Sequence, residues 1–407
     1  MKGSENDLST EYLHGTDARF LPSQIVSTPN GIGTIPVYIG TSPEGDVNEP
    51  YLLSTFGDTE FSIGYSDDWG KYTLSEVVAA HFRNPQENAG PIIVINVWDP
   101  DKHEFSTPTT EEIIEGVKAA RKVNARFNII PSILAAPGWS DDRDVYQAMV
   151  DKSTKLNGHY DLVVFADLDS KTTRTIEQAI AWKDTSGYNS HRSKVFWPMS
   201  EFSGRKYHAS TLAIVRSMIL DLSQDNCPCE TPSNKPTLCS RMILNDGELI
   251  EFDTPEANLL NAEGITTFNF SGGEWVLWGP HNANFKHGVT KAPDMIFDTG
   301  IRVMFWLGNG FQFRHARQVD MSMARSRVDR IIKEEQMFLS ALVVTGRLLY
   351  GRIEFIETSN PISDIVQGNF IFDSSITTTP IGKSLIVQLQ YTAEGLNTLY
   401  GNGGETE

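Results

Sequence analysis

The residues best suited to chemistry are two acids, Asp167 and Asp169, in the segment FADLD at residues 165–169. They follow an apolar run typical of a buried strand, and paired carboxylates at the carboxyl end of a strand can bind a metal ion or supply a nucleophile. A phosphatase-like motif would continue with Gly and then Thr or Val, whereas Ser170 and Lys171 stand there. A metal-dependent hydrolase is therefore one hypothesis, and solvated loop acids are the simpler interpretation.

Three cysteines lie in one proline-rich loop, CPCETPSNKPTLC, as Cys227, Cys229 and Cys239. An odd number of cysteines in a single loop does not indicate a disulfide framework. Three thiolates with His208 upstream could bind zinc, but the one-residue gap and the missing second CxxC do not match the usual spacing. A zinc-stabilised binding module is the second alternative, beside incidental loop cysteines.

Other signatures of catalysis are absent from the sequence. It contains no phosphate loop of the form GxxxxGK[ST], no GxGxxG after a strand, and neither HExxH nor GxSxG. Its nine histidines are scattered without close metal-ligand spacing. We therefore expect no enzymatic activity, no cofactor and no bound metal.

The charge balance argues against two classes of partner. The 407 residues carry 34 basic and 52 acidic side chains, a formal charge of -18, which repels nucleic acid and anionic membranes. No apolar stretch is long enough to span a bilayer, and the polar start MKGSENDLSTEYLHG lacks a secretion signal. We expect no nucleic-acid binding, no membrane insertion, and folding in the cytoplasm.

Strands and helices alternate between Tyr72 and Asp184, which predicts a mostly parallel sheet covered by helices. The predicted elements there include a helix at 110–123, a strand at 128–134, and a helix at 141–156 whose start is marked by Ser140-Asp-Asp142. After the cysteine loop, a helix at 321–345 and strands at 348–356 and 369–376 predict a second unit of α+β type. The class is therefore α/β and α+β.

Near the end of the chain, residues 384–391 (SLIVQLQY) read as a strand with one apolar face. Leu385, Val387, Leu389 and Tyr391 alternate with Ile386, Gln388 and Gln390. An apolar edge strand beyond a proline break is a pairing liability unless another edge receives it. Strand addition to a neighbouring molecule and an internal hairpin are both open at this point.

Residues 302–352 are basic within an acidic chain, with nine Lys or Arg against four Asp or Glu, a net charge of +5. Such a segment suits an acidic protein surface, where charges guide docking more than they supply its energy. A solvated helix face with internal ion pairs is the alternative.

Four motifs follow one another along the chain: EYLHG at 11–15, ILAAPGWSDDRDVYQAM at 133–149, NLLNAEGITTF at 258–268 and WVLWG at 275–279. Together they resemble the tail sheath proteins of contractile phages of the P2 type and of R-type pyocins. The resemblance in order and spacing extends from residue 11 to residue 391. Family members often read WGN-R-T where this chain has WGPHN at 278–282, and the cysteine loop is also its own.

The resemblance implies a multi-domain sheath subunit. Its parts would be an N-terminal arm at 1–30, an α/β domain at 31–257, an α+β tube-facing domain at 258–378 and a C-terminal arm at 379–407. The family's middle domain is described as subtilisin-like in fold but without protease activity, in agreement with the missing serine motif. Both arms are implied to complete β-sheets in neighbouring subunits.

The resemblance also implies a function and partners. The expected function is that of a structural subunit that polymerises as stacked hexameric rings around an inner tail tube and contracts by repacking, which drives the tube through the host envelope. The implied partners are other copies of the chain, the tube protein, and the baseplate and tail terminator proteins. The expected location is a virion tail assembled in the host cytoplasm.

Residue roles are implied as well. The implied tube contacts lie on the helix near 325–344 and are Arg325, Arg327, Arg330 and Lys333. The implied inter-subunit strands carry Leu385, Val387, Leu389 and Tyr391 in the C-terminal arm, and Ile25 and Val26 in the N-terminal arm.

Overall fold

The computed structural model describes residues 33–103 and 106–400. The predicted N-terminal arm, with Ile25 and Val26, lies outside them. The described strands are β1 Pro36–Gly40, β2 Pro50–Leu53, β3 Ile92–Asn96, β4 Ile133–Ala135, β5 Val163–Asp167, β6 Ser193–Phe196, β7 Met199–Phe202, β8 Arg205–Tyr207, β9 Arg241–Ile243, β10 Leu249–Ile250, β11 Ile265–Ser271, β12 Glu274–Trp278, β13 Leu348–Glu354 and β14 Asp373–Thr378.

The described α-helices follow the same chain order. They are α1 Phe56–Ser62, α2 Thr73–Phe82, α3 Thr110–Ala119, α4 Lys122–Phe127, α5 Arg143–Ser153, α6 Ile176–Ser186, α7 Ala209–Ser223, α8 Thr254–Ala262, α9 Pro293–Ile296, α10 Asp298–His315, α11 Arg325–Val344 and α12 Ile362–Val366. Among them, none is both long and apolar enough to cross a bilayer.

The central sheet of the described chain has eight strands in the order β12-β11-β6-β5-β4-β1-β3-β2. Its six inner strands run parallel, and β2 and β12 close the two edges in antiparallel pairing. Parallel strands need helical crossovers that cover both faces of the sheet. The predicted mixed α/β architecture is therefore confirmed.

Alternation along β1 shows how the sheet fills two cores. Val37 and Ile39 point to the face covered by α3, α5 and α6, whereas Tyr38 points to the face covered by α2 and α7. All five residues of β1 are buried. Since both faces are covered, the strand is apolar without a polar side, as expected for a central parallel strand.

The predicted start of the helix after β4 is confirmed. The Asp142 carboxylate accepts hydrogen bonds from the amides of Asp144 at 2.8 Å and Val145 at 3.4 Å, so it caps α5. A carboxylate at this position also suits the positive end of the helix dipole.

Two predicted boundaries were wrong. The strand predicted at 128–134 is reduced to β4, because Asn128 adopts a left-handed φ of 55° as the C-cap of α4 and Pro131 has no amide to donate. The helix predicted at 110–123 ends at Ala119. The chain then passes to α4 through hydrogen bonds of the 3-10 type, between residues three positions apart, such as Ala120 N to Val117 O at 3.2 Å.

Strands β11 and β12 fall in the predicted α+β unit at 258–378, yet they extend the sheet of the predicted α/β unit. The connection is the parallel pair Ile265 with Val195. This pairing joins residues 70 positions apart, which local periodicity does not report. A second sheet in the order β10-β9-β7-β8 was not predicted, because its strands have only two to four residues.

The C-terminal part packs α10 and α11 against a two-stranded sheet of β13 and β14. Its small core contains Val303, Leu339, Leu342, Leu348 and Ile353, together with Cys227. Helix α10 was not predicted, since three glycines interrupt its sequence DTGIRVMFWLGNGFQFRH and glycine is a poor helix former. The predicted helix at 321–345 is confirmed as α11.

Buried ion pairs tie α10 to the rest of the molecule. Lys194 Nζ on β6 lies 2.8 Å from Asp298 Oδ2 at the start of α10, with side-chain exposures of 1% and 0%. Arg302 forms a buried pair with Asp221 of α7. Each charge depends on its partner, because an isolated buried ion carries a large desolvation cost.

Candidate assembly surfaces

Asp167 and Asp169, the two acids that suggested catalysis, both accept structural hydrogen bonds from their own chain. Asp167 is buried and accepts from the amide of Ser210 at 2.9 Å and from its hydroxyl, which anchors the first turn of α7. Asp169 accepts from the amides of Lys171 at 2.7 Å and Thr172 at 3.2 Å. Since both carboxylates bind their own chain, the arrangement does not support the hydrolase alternative.

A half-buried histidine, His208, lies beside Asp167. The His208 ring contacts Glu76 with 2.7 Å between Nδ1 and Oε2, and its amide donates to Glu76 Oε1 at 2.7 Å. Burial alone would lower the pKa of His208, but the charge and hydrogen bond of Glu76 and the charge of Asp167 outweigh it and raise the pKa to about 9. His208 is therefore a positive charge that fixes α7 to α2.

We expect the His208 to Gln variant to lose stability and its pH dependence. A histidine whose folded pKa is raised from about 6.5 to about 9 stabilises the fold fully below pH 6.5, and loses this effect as the pH rises through 9. At 1.36 kcal/mol per unit, the difference between wild type and variant should shrink by about 3 kcal/mol from pH 6 to pH 10. Urea unfolding at several pH values measures it.

The exposed His159 provides the matched control. We expect the His159 to Gln variant, a substitution of an exposed side chain, to change the unfolding free energy by less than about 0.5 kcal/mol. A constant difference in unfolding free energy between wild type and the His208 to Gln variant across this range would contradict the assigned charge.

The three cysteines are free thiols that do not converge. Cys227 belongs to the C-terminal core with α10 and α11, whereas Cys239 packs in the core under α2 and α7. His208, the fourth ligand considered, is engaged by Glu76. No group of three or more potential metal ligands occurs in the described residues, so this geometry does not support the zinc-module alternative.

The basic segment at 302–352 is largely paired within the chain. Besides buried Arg302, Arg314 forms two hydrogen bonds of 2.7 Å with Glu335, and His315 contacts the same carboxylate. Arg347 Nη2 lies 2.6 Å from Asp225 Oδ2, and Arg352 Nη2 lies 2.6 Å from Glu354 Oε1. Only part of the predicted positive charge is therefore available to a partner.

The four predicted tube contacts share the N-terminal half of α11. Arg325, Arg330 and Lys333 are exposed and Arg327 is half-buried. Arg325 pairs with Asp329 at 2.9 Å, while Arg330 and Lys333 form no ion pair with any described residue. The exposed face continues with Met337 and Val344, which are 72% and 86% exposed. This face is basic at one end and apolar at the other.

The C-terminal segment at 385–391 forms no strand in the single chain. Its apolar side chains are in water, and their exposed fractions are 93% for Leu385, 75% for Val387, 90% for Leu389 and 83% for Tyr391. Monomeric proteins rarely expose contiguous apolar groups of this size unless another surface covers them.

An open sheet edge exists in the same molecule. Strands β13 and β14 pair only with each other in the described residues, for example Gly351 with Ile376. An isolated two-stranded sheet is only marginally stable. The free edges offer backbone hydrogen-bonding groups to a further strand. The sequence pattern does not predict this edge, because a 3-10 turn and α12 separate β13 from β14 along the chain.

After β14 the chain continues beside the end of β12 and not along the two-stranded sheet. Residues 379–384 line a cavity of about 760 Å³ together with the WGPH motif at 278–281, and the Thr379 hydroxyl donates to Gly346 O at 2.9 Å. The exposed segment at 385–391 thus begins beside the end of β12.

Comparison with known proteins finds a sheath protein of similar sequence. No family profile matches the chain. The chain is 24% identical over 289 residues to a putative prophage major tail sheath protein of Pseudomonas aeruginosa strain UCBPP-PA14, an alignment that covers 69% of this chain and 70% of that protein.

Solved structures resemble the chain over most of its length. The sheath complex of an extracellular contractile injection system, PVC, in its contracted state matches with a TM-score of 0.65 and 13% identity, covering 95% of this chain and 99% of that one. A sheath tail protein from Listeria innocua matches with a TM-score of 0.58 and 10% identity, covering 86% and 93%. The resemblance inferred from the motifs is thus confirmed: the chain is similar in sequence to a putative prophage major tail sheath protein, and it shares the mixed α/β fold of solved sheath proteins of contractile particles.

Proposed function

We propose that this chain is the structural sheath subunit of a contractile tail, and that it works by polymerising and repacking. The observation that carries the proposal is that one chain has both an exposed apolar segment at 385–391 and a two-stranded sheet, β13–β14, that pairs with no further strand in the described residues. The related and similarly folded proteins are sheath proteins and sheath complexes. A molecule with an unpaired strand and an unpaired edge can form an open chain of identical contacts.

The proposed contact is strand addition. Residues 385–391 of one subunit would pair with the free edge of the β13–β14 sheet in a neighbour, and the N-terminal arm at 1–30 would make a second connection of this kind. Each backbone hydrogen bond contributes about 0.5–1.5 kcal/mol net. Several such bonds hold subunits together while their bodies change packing.

The proposed tube-facing surface is the exposed face of α11. Arg330 and Lys333 have no acidic partner in the described residues, so an acidic surface of the tube protein would find them free. The apolar residues Met337 and Val344 would add burial at the other end of the helix. Charges of this kind guide docking and register more than they supply energy.

The proposed motion needs no nucleotide. Hexameric rings would stack in a metastable extended sheath and repack into a shorter, wider one that buries more surface. If repacking buried roughly 500 Å² more apolar area per subunit, the gross gain would be about 12 kcal/mol at about 25 cal/mol per Å². Ordering and polar desolvation reduce this figure, but the remainder adds over many subunits.

Negative-stain electron microscopy of the purified chain tests the proposal. We expect hollow cylinders whose length increases with protein concentration, because each subunit offers both halves of the contact. A chain that remains monomeric at all concentrations and salt conditions would contradict the proposal.

A further inference from the structure

Two of the three cysteines lie in one tight turn. The amide of Cys229 donates to Cys227 O at 2.8 Å, which is the hydrogen bond of a γ-turn. Pro228 is the central residue, and its ring fixes φ at about −65°, close to the roughly −75° that the inverse form of this turn requires. The sequence CPC thus favours the turn locally.

The turn brings two thiols together. It folds Cys227 and Cys229 toward each other, so their Cα atoms come within the roughly 7 Å beyond which a disulfide cannot form. The two thiols hydrogen bond to each other, and Cys229 packs against the small core that contains Cys227. Cys239 packs in a different core, under α2 and α7. Cys227 and Cys229 are therefore a dithiol pair that excludes Cys239.

The two thiols of the pair differ in access and in acidity. Cys227 is fully buried, whereas Cys229 is half-buried and lines the cavity of about 760 Å³ beside the WGPH motif. The hydrogen bond from Cys227 lowers the pKa of Cys229, and the same bond together with burial raises the pKa of Cys227. Because the thiolate is the reactive form of cysteine, Cys229 is the attacking thiol and Cys227 the resolving thiol.

The turn also lies beside the segments that lead into both predicted arms. Cys229 lines the same cavity as residues 379–384, which precede the exposed C-terminal segment. Pro228 lines a smaller cavity with Gly33 and Thr34, the first described residues after the predicted N-terminal arm. A chemical change in this turn therefore occurs next to both segments.

We propose that Cys227 and Cys229 form a redox site, which a small peroxide oxidises to a disulfide and which thereby loosens residues 379–384. The Cys229 thiolate attacks one oxygen of hydrogen peroxide, the O–O bond breaks, and the other oxygen leaves as hydroxide and takes up a proton. The Cys227 sulfur then attacks the sulfenic acid on Cys229, its S–O bond breaks, and a second water leaves. Two thiols lose two electrons in total, and one peroxide becomes two waters.

Disulfide formation moves one side of the cavity wall. A covalent S–S bond is shorter than a hydrogen bond between two thiols, so the half-buried Cys229 sulfur is drawn toward the buried Cys227. Residues 379–384 then lose part of the wall that they share with Cys229. This inference does not depend on the proposed sheath function.

Peptide mass spectrometry of the full-length chain after treatment with hydrogen peroxide tests the redox site. Cleavage after Glu230 separates Cys227 and Cys229 from Cys239. We expect the peptide ending at Glu230 to lose two hydrogen atoms and to regain them with a reductant. Cys239, whose pKa burial raises to about 12, should remain a free thiol. Three unchanged thiols, or a bond between Cys229 and Cys239, would overturn the proposal.

Three variants assign the roles of the thiols, and their melting temperatures before oxidation show that each one folds. Cys227→Ser keeps a hydrogen-bond donor but no resolving thiol, so peroxide should leave a sulfenic acid on Cys229 that dimedone traps. Cys229→Ser should leave Cys227 reduced, with a reaction rate lower by at least about tenfold. Cys239→Ser is the matched control and should form the disulfide at the wild-type rate. Equal peroxide rates in the first two variants would contradict the assigned roles.

Hydrogen exchange tests the effect on the neighbouring segment. Amides of residues 379–384 should exchange faster in the oxidised wild type than in the reduced one, while those of α3 should not change. Peroxide should have no effect on this segment in the Cys229→Ser variant. Equal exchange of residues 379–384 in both redox states would overturn the proposed loosening and leave the redox site standing.

Discussion

Deleting residues 383–407 should leave a folded protein that no longer forms long cylinders. The apolar side chains of residues 385–391 are 75–93% exposed in the single chain, so few contacts within the chain are lost. The proposed lattice contact is lost completely. We expect the melting temperature to change by only a few degrees, while cylinders disappear from negative-stain images.

Point variants separate the donated face from the rest of the segment. Val387 to Asp places a charge on the apolar face, and Gln388 to Asp places the same charge on the alternate face of the strand. We expect the first to prevent assembly and the second to permit it. A deletion of residues 401–407 is the matched truncation and should assemble normally. Equal behaviour of the two point variants would contradict the facial assignment.

The Lys194 to Met variant should be destabilised by about 3–5 kcal/mol, the cost of leaving one buried charge without its partner. Lys194 Nζ lies 2.8 Å from Asp298 Oδ2 and donates to Gly279 O at 2.7 Å. The variant leaves Asp298 with the Thr231 hydroxyl at 2.9 Å. Since a domain is stable by only about 5–15 kcal/mol, urea unfolding should show a large shift of the midpoint.

Two further variants show whether pairing causes that loss. The Lys194 to Met and Asp298 to Leu double variant removes both charges and should recover a substantial part of the stability. The exposed pair Lys118 and Glu115, 2.7 Å apart with both side chains 57% exposed, supplies the control. Lys118 to Met should cost less than about 1 kcal/mol. A double variant no more stable than Lys194 to Met would contradict the pairing explanation.

Local signals in the sequence were sufficient to predict most of the inner strands of the central sheet. Continuous apolar runs such as IIVIN of β3 are buried on both faces, and Asp142 marks the start of α5 through its side-chain oxygen. Such patterns are local, since they depend on periodicity and on one capping residue. They predict elements well but do not give the order of strands in a sheet.

The features that the sequence did not predict, such as helix α10 and the partners of the basic residues, depend on long-range packing. Helix α10 contains Gly300 because its backbone approaches Asp294 closely, so the residue that weakens the helical pattern is required by tertiary structure. The partners of the basic residues were also hidden, since Arg302 meets Asp221, 81 positions away.

A cryo-electron microscopy reconstruction of the assembled cylinders measures the central relation directly, namely whose sheet the C-terminal strand joins. We predict density for residues 385–391 along β14 of a different subunit. Density that places this strand on its own body, within cylinders held together by other surfaces, would contradict the account.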